Sequence, residues 1–190
     1  VLDPEAAASL VEALGELFLA SEVFKNRSML KDRIGEKIGS DCLSLVDDGT
    51  IPWGIGTSPW DGEGVPSGRT VLMERGAVSS FLYDLKYARK FKVPSTGNAS
   101  RSPGSLPEVG FSNLFVTPGE RSPRQILKDC TGGILVTELM GVHTIDPVSG
   151  DFSLGIKGAM INGAGRPERP VAGMTMAGNL VSLLSNLAEV

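Results

Sequence analysis

Thr70-Val71-Leu72-Met73-Glu74-Arg75-Gly76-Ala77-Val78-Ser79-Ser80-Phe81-Leu82-Tyr83 reads as two strands joined across Arg75-Gly76. A two-residue connection ending in glycine, set between runs rich in β-branched and apolar residues, is the short-range mark of an antiparallel hairpin. Similar strand signals recur on both sides. Cys42 to Val46 alternates as a strand ahead of an Asp47-Asp48-Gly49 turn, and Phe111 to Val116 and Ile134 to Leu139 are further strand-like runs. Asp146 to Asp151 reads as a turn; Phe152 to Ile161 and Val171 to Met176 then read as strands separated by a turn that begins at Asn162-Gly163. With 24 glycines and 12 prolines the punctuation is too dense for a helical bundle. The expected class is therefore α+β: mostly antiparallel β-sheet, or a partly closed barrel, with a few flanking helices.

Four helices are expected around these strands. Asp3 caps the first, Pro4 opens it, and Ala7, Leu10, Val11, Leu14, Leu17 and Phe18 recur at helical spacing. Asp84 caps a short helix through Leu85, Ala88 and Arg89. Ser122-Pro123-Arg124-Gln125 is a capping box that starts a helix running to about Cys130. Asn179 caps a closing helix through Leu180, Leu184 and Leu187. Two long loops remain. Residues 52–68 combine three prolines and five glycines with both tryptophans, which suggests an ordered loop with large apolar anchors. Pro94 to Pro107 is the second, and a loop of that length is functional or mobile.

Composition limits the function classes. A chain of 190 residues buries roughly 70% of the surface its unfolded form exposes, enough for a core. Eighteen Lys and Arg stand against 22 Asp and Glu, giving a net charge of −4, so nucleic acid is not an expected partner. No apolar run approaches the ~20 residues of a membrane helix. Cys42 and Cys130 are far apart and without metal spacing, which suits reduced thiols and a cytoplasmic location.

Each candidate for chemistry has a plainer reading beside it. His143, the only histidine, is read as a loop residue near a strand end rather than a general base, because no activating carboxylate is identifiable. Cys42 and Cys130 read as inert. The acids Asp47, Asp48, Asp61 and Glu63 all sit close to glycines, where turn chemistry accounts for them. Gly54-Ile55-Gly56 has no following helix and is no dinucleotide signal.

Several short motifs together carry a resemblance. Val46-Asp47-Asp48-Gly49-Thr50, Trp60-Asp61-Gly62-Glu63-Gly64-Val65-Pro66 and Arg69-Thr70-Val71-Leu72 resemble the carboxy-terminal half of the TldD/PmbA family. Ser95-Thr96-Gly97-Asn98, Phe111-Ser112-Asn113-Leu114, Gly133 to Glu138, Ser149 to Ser153 and Thr175 to Leu180 follow in the family's order. The family, also labelled modulators of DNA gyrase, comprises cytosolic zinc peptidases that trim or degrade peptides. The resemblance implies one carboxy-terminal domain over residues 1–190 of a longer protein, an amino-terminal domain outside this chain, and a dimer.

The family's catalytic member carries a His-Glu-x-x-x-His helix, and its PmbA or TldE partner does not. On that pattern Val11 stands at the first histidine, Glu12 at the general base and Glu16 at the second histidine. Hydrolytic zinc needs three protein ligands and an open position for water. Valine has no lone pair, and Glu12 with Glu16 at i, i+4 makes a poor zinc site. The expectation is no metal ligand and no catalytic residue in this chain, with zinc in a TldD-like partner. The implied role is a non-catalytic subunit of a peptide-processing metallopeptidase complex, paired with such a partner or with itself. Ser95, Thr96, Gly97 and Asn98 are expected to line the peptide channel. Two alternatives stay open: a stand-alone peptidase using Glu12, Glu16 or His143, and a regulatory protein-binding module anchored by the tryptophan loop.

Overall fold

The computed structural model describes residues 1–190. The hairpin of the opening stretch is present as β2 (Arg69–Glu74) and β3 (Ala77–Val78), with Met73 opposite Val78 and Glu74 opposite Ala77. Arg75 and Gly76 both have positive φ, 47° and 78°, the mirror-image turn whose twist matches that of paired strands. Here only glycine fits at position 76: a Cβ there would lie 2.0 Å from the carbonyl oxygen of Gly39. β1 (Leu45–Asp48) pairs antiparallel with β2 on one side and with β6 (Leu114–Val116) on the other, giving the order β3-β2-β1-β6.

Several boundaries differ from the sequence reading, among them the strand expected from Phe111, which begins at Leu114. The strand expected over 77–83 stops at Val78, because the N–H groups of Ser79 and Ser80 both turn onto the Leu72 carbonyl. The strand expected over 42–46 instead begins at Leu45 and takes in both aspartates. Asp47 is drawn into the sheet by buried hydrogen bonds, leaving Asp48 to cap the turn through the N–H and hydroxyl of Thr50 at 2.8 and 2.6 Å. The segment 94–107 is not all loop, since β4 (Ala99–Ser100) pairs antiparallel with β5 (Glu108–Val109).

The third sheet has the order β7-β8-β9, from β7 (Ile134–Met140), β8 (Asp151–Ile161) and β9 (Pro167–Asn179), all antiparallel. The side chain of Asn162 accepts from the N–H groups of Ala164 and Arg166 and closes the β8–β9 turn. β9 outruns the expected 171–176. Pro167 and Pro170 are tolerated because β9 is an edge strand, where a missing N–H breaks no outer ladder. The sheets are separate and open, so the antiparallel-sheet form of the expected class is the one adopted.

The four expected helices are present: α1 (Pro4–Glu16), α3 (Leu85–Phe91), α4 (Pro123–Asp129) and α5 (Leu180–Ser185). α2 (Ala20–Phe24), a single turn and a half, was not signalled by any strong cap. Asp3, Asp84 and Asn179 accept from Ala6, Tyr87 and Val181 at 2.9, 2.6 and 3.0 Å. In the capping box, Gln125 Oε1 accepts the Ser122 N–H at 2.8 Å. Caps of this kind contribute ~1 kcal/mol each, whereas each fully buried Leu or Phe contributes about 1.5–3 kcal/mol. Burial therefore dominates the placement of α1. Its Leu10 and Leu14, with Leu17 and Phe18 just beyond its end, meet Leu45, Leu72 and Met73 of the first sheet, Phe152 and Leu154 of β8, and Leu180 and Leu184 of α5 in one core. No helix is long and apolar enough to cross a membrane.

One carboxylate lies inside this frame. Asp47 is 1% exposed; its Oδ1 accepts the Ser112 N–H at 2.7 Å and its Oδ2 accepts the Asn98 amide at 2.7 Å. Burial pushes its pKa up from 3.8, against the opposing pull of the hydrogen bonds from Asn98 and Ser112.

Two outcomes are expected. Gly76→Ala should lower unfolding free energy by about 1–3 kcal/mol, from a left-handed backbone and a blocked Cβ, read as a lower urea midpoint at unchanged slope. For Asp47 the folded state holds its proton more tightly than the unfolded state. The stability this provides is fully present below pH 3.8 and is lost as pH rises through the raised folded value. The stability advantage of wild type over Asp47→Asn should therefore shrink with rising pH across that window, and a pH-independent difference would contradict it.

Candidate functional site

α1 presents its two sides to different surroundings. Its inner side buries Ala6, Leu10, Leu14 and Gly15, and Gly15 marks a close approach to β6, since a Cβ there would lie 2.3 Å from Leu114 Cδ2. Its start is fixed to β7, because the Asp3 N–H donates to the Val136 carbonyl at 2.9 Å. The outer side carries Ser9, Glu12, Ala13 and Glu16, which form one wall of an open groove of about 690 Å³. The opposite wall includes Leu139 of β7 and a 3-10 turn, Val142–Thr144, that places His143 in the groove.

Glu12 and Glu16 are exposed and make no ion pair, so the groove keeps two free carboxylates along this wall. Glu22, also in the lining, is paired with Lys25 and Arg27 at 3.2 and 3.1 Å. Pro147 is set by the adjoining turn. There Asp146 accepts the N–H groups of Val148 and Ser149 at 2.8 and 3.2 Å, and those bonds hold its carboxyl below the usual range.

Val11 is not part of the groove lining; it is half-buried and packs against the main core. Its side chain is apolar, and no group of three His, Cys, Asp or Glu side chains converges anywhere in the chain. The residues present thus do not make up a zinc site. Cys42 and Cys130 are free thiols, and Cys42 Sγ lies 2.9 Å from Ser40 Oγ, away from this groove.

The segment 95–98 is built into the fold by its own polar groups. Ser95 Oγ donates to the Tyr83 carbonyl at 2.9 Å, and Thr96 Oγ1 accepts the Tyr83 N–H at 2.8 Å. Gly97 has φ +72° and no room for a Cβ, which would meet the Pro66 carbonyl oxygen at 2.4 Å. Asn98 is held by Asp47. Gly97 and Asn98 do line a second, shallower groove of about 380 Å³, together with Trp60, Ser67, Ser100 and Ser112. Ser95 and Thr96 are not among its lining residues.

The 60–66 motif shapes that groove. Asp61 accepts the N–H groups of Glu63 and Val65 at 2.9 Å and that of Ala99 at 3.0 Å, joining a turn to β4. Glu63 accepts the N–H of Leu85 at 2.8 Å, at the start of α3. Beside it, Asn113 braces the 51–57 loop: its Oδ1 accepts the Gly56 N–H at 2.9 Å and its amide donates to the Asp48 carbonyl at 2.7 Å. This braced loop leaves Trp53 and Ile55 fully exposed.

Sequence reasoning placed Glu12 and Glu16 on one helix face but missed that His143 joins them, because residue spacing carries no information on which turn closes over α1. It also read Asp47 as a turn residue. The signal available for it was the apolar run just before it, which already marked a buried strand.

Residues 1–190 match the family described as PmbA/TldA metallopeptidase C-terminal domain. The metalloprotease PmbA of Escherichia coli O157:H7 is 30% identical over 98% of this chain and 39% of its own length. A metalloprotease TldD homolog of Haemophilus influenzae is also 30% identical, over 95% of this chain and 38% of its own length. The crystal structure of TldE from Thermococcus kodakarensis superposes with a TM-score of 0.90 at 31% identity, covering 100% of this chain and 43% of that one. The chain thus spans about two fifths of the length of these relatives. With a match over the whole chain to the model of the family's C-terminal domain and the same fold in a solved relative, this polypeptide belongs to the TldD/PmbA metallopeptidase family.

Proposed function

We propose that this domain belongs to a PmbA/TldE-type, non-catalytic subunit of a TldD-type metallopeptidase complex that processes or degrades peptides in the cytoplasm. The observation that carries the reading is the make-up of α1: an apolar Val11 turned to the core and an exposed Glu16 stand where a zinc peptidase needs imidazoles, and only Glu12 keeps the residue type of the pattern. Overall identity does not separate the subtypes, being equal to a PmbA and to a TldD homolog, so the reading rests on α1. Zinc belongs to the partner subunit in this reading. This chain closes the cavity and helps hold an extended peptide, with Gly97 and Asn98 on the wall of the shallower groove.

One observation favours a second reading, a peptidase in its own right: His143 lines the same groove as Glu12 and Glu16. A general base contributes about 10²–10⁴-fold to turnover, which separates the two readings cleanly. Glu12→Gln in the full-length protein should leave peptide hydrolysis by the protein mixed with a TldD-type subunit unchanged within about twofold, well below that range. A loss of a hundredfold or more would transfer the chemistry to this chain. Metal analysis should find stoichiometric zinc in the mixture and none in this protein alone.

The channel assignment has its own test. Ser100 is exposed on the same groove as Asn98 and makes no side-chain hydrogen bond, so Ser100→Tyr fills the groove without breaking the 95–98 clasp. Turnover by the reconstituted pair should fall severalfold at an unchanged melting temperature; unaltered turnover would remove the lining role.

A further inference from the structure

The net charge of −4 conceals a strongly basic region. Segments 25–37 and 86–92 hold half of the chain's 18 Lys and Arg but only two of its 22 acidic side chains, Asp32 and Glu36. The two segments are neighbours in space. Between them lies a groove of about 540 Å³ whose apolar lining includes Phe24, Ile34, Phe81, Tyr83 and Phe91. Phe24 and Ile34 are 47% and 58% exposed at its edge. The rings are organised, with Phe24 edge-on to Phe91 at 6.0 Å and Tyr83 edge-on to Phe91 at 5.6 Å.

Lys31 and Asp32 are the charged residues of the lining itself, and the cations around the groove divide into paired and unpaired. Lys86, Arg89, Lys90 and Lys92 form no ion pair, whereas Lys25, Arg27, Arg33 and Lys37 each have a carboxylate partner. Lys90 Nζ sits 3.8 Å from the centre of the Phe24 ring and Lys86 Nζ 5.1 Å from that of Tyr87. Four like charges within seven residues repel one another, and an anionic partner relieves that repulsion.

We propose that this groove, independently of the catalytic assignment, is a docking site for an acidic polypeptide segment that also carries aromatic or aliphatic side chains. Carboxylates of the segment meet Lys86, Arg89 and Lys90, and an apolar side chain enters between Phe24 and Ile34. Charge complementarity selects an anion, and the concave apolar lining selects a side chain rather than a phosphate backbone. Base stacking needs an open aromatic face, and Lys90 already covers that of Phe24. A lipid surface is met by protruding apolar residues, whereas Val23, Phe81 and Tyr83 of this lining are buried.

The test is fluorescence anisotropy with the full-length protein and a short labelled peptide alternating glutamate with leucine and phenylalanine. Saturable binding is expected, weakened by added salt. It should weaken about tenfold or more with Lys86→Glu combined with Arg89→Glu, and also with Ile34→Asp. These three positions are exposed, so melting temperatures should hold; Lys86→Gln with Arg89→Gln serves where charge reversal disturbs folding. Absent binding, or binding indifferent to these substitutions, overturns the proposal. So does tighter binding of an oligothymidylate or of phosphatidylserine vesicles than of the acidic peptide. Because none of these residues lies on α1, failure here leaves the subunit assignment untouched, and failure of that assignment leaves this site intact.

Discussion

The buried carboxylate of Asp47 is the constraint around which the rest of the domain is arranged. It sits in a central strand, and its two oxygens bind the Ser112 N–H, on the approach to β6, and the Asn98 amide, next to β4. Losing it would orphan two donors, one of them on the buried Asn98, at a cost of about 1–3 kcal/mol each, comparable with deleting a buried leucine side chain. The loop next to Asn98 then has no freedom of its own. Gly97 backs onto Pro66, and Ala99 hands its N–H to Asp61, so the Trp60–Pro66 turn, β4 and the first sheet are tied to one another.

This dependence explains what the sequence made legible. Caps and turns are local, and Asp3, Asp84, Asn179 and Arg75-Gly76 act within four residues of themselves; each was readable from spacing alone. The class of the domain followed from the same signals. Asp47 fails because its partners lie 51 and 65 residues away, and a local reading sees only an aspartate before Asp-Gly. The short ribbon of β4 and β5 fails for a related reason. Its strands are two residues each, too short for any alternation to register, and they exist because Asp61 and Asn98 hold one side of the pair.

The candidate site was legible in composition and illegible in shape. That α1 lacks imidazoles is a statement about residue types and needs no coordinates. That Val11 turns inward while Glu12 and Glu16 face solvent follows from the helical repeat, once the core is known to include Leu10 and Leu14. The inclusion of His143 does not follow from anything local, because it depends on how the connection from β7 to β8 folds back over α1. A histidine beside two unpaired carboxylates in an open groove is still only an arrangement of solvated groups.

Net charge is a sum, and sums discard placement. The composition of this chain argues against a basic surface, and for most of the molecule that argument holds, since half of its cations are gathered into two short segments. The gathering is a product of the fold. Segments 25–37 and 86–92 meet because Phe24, Tyr87 and Phe91 pack ring against ring, at 5.8 and 6.0 Å from Phe24. An aromatic contact made for stability thus concentrates charge that sequence order keeps apart. The same domain carries free carboxylates on α1 and free cations on α3, two surfaces of opposite preference on one core.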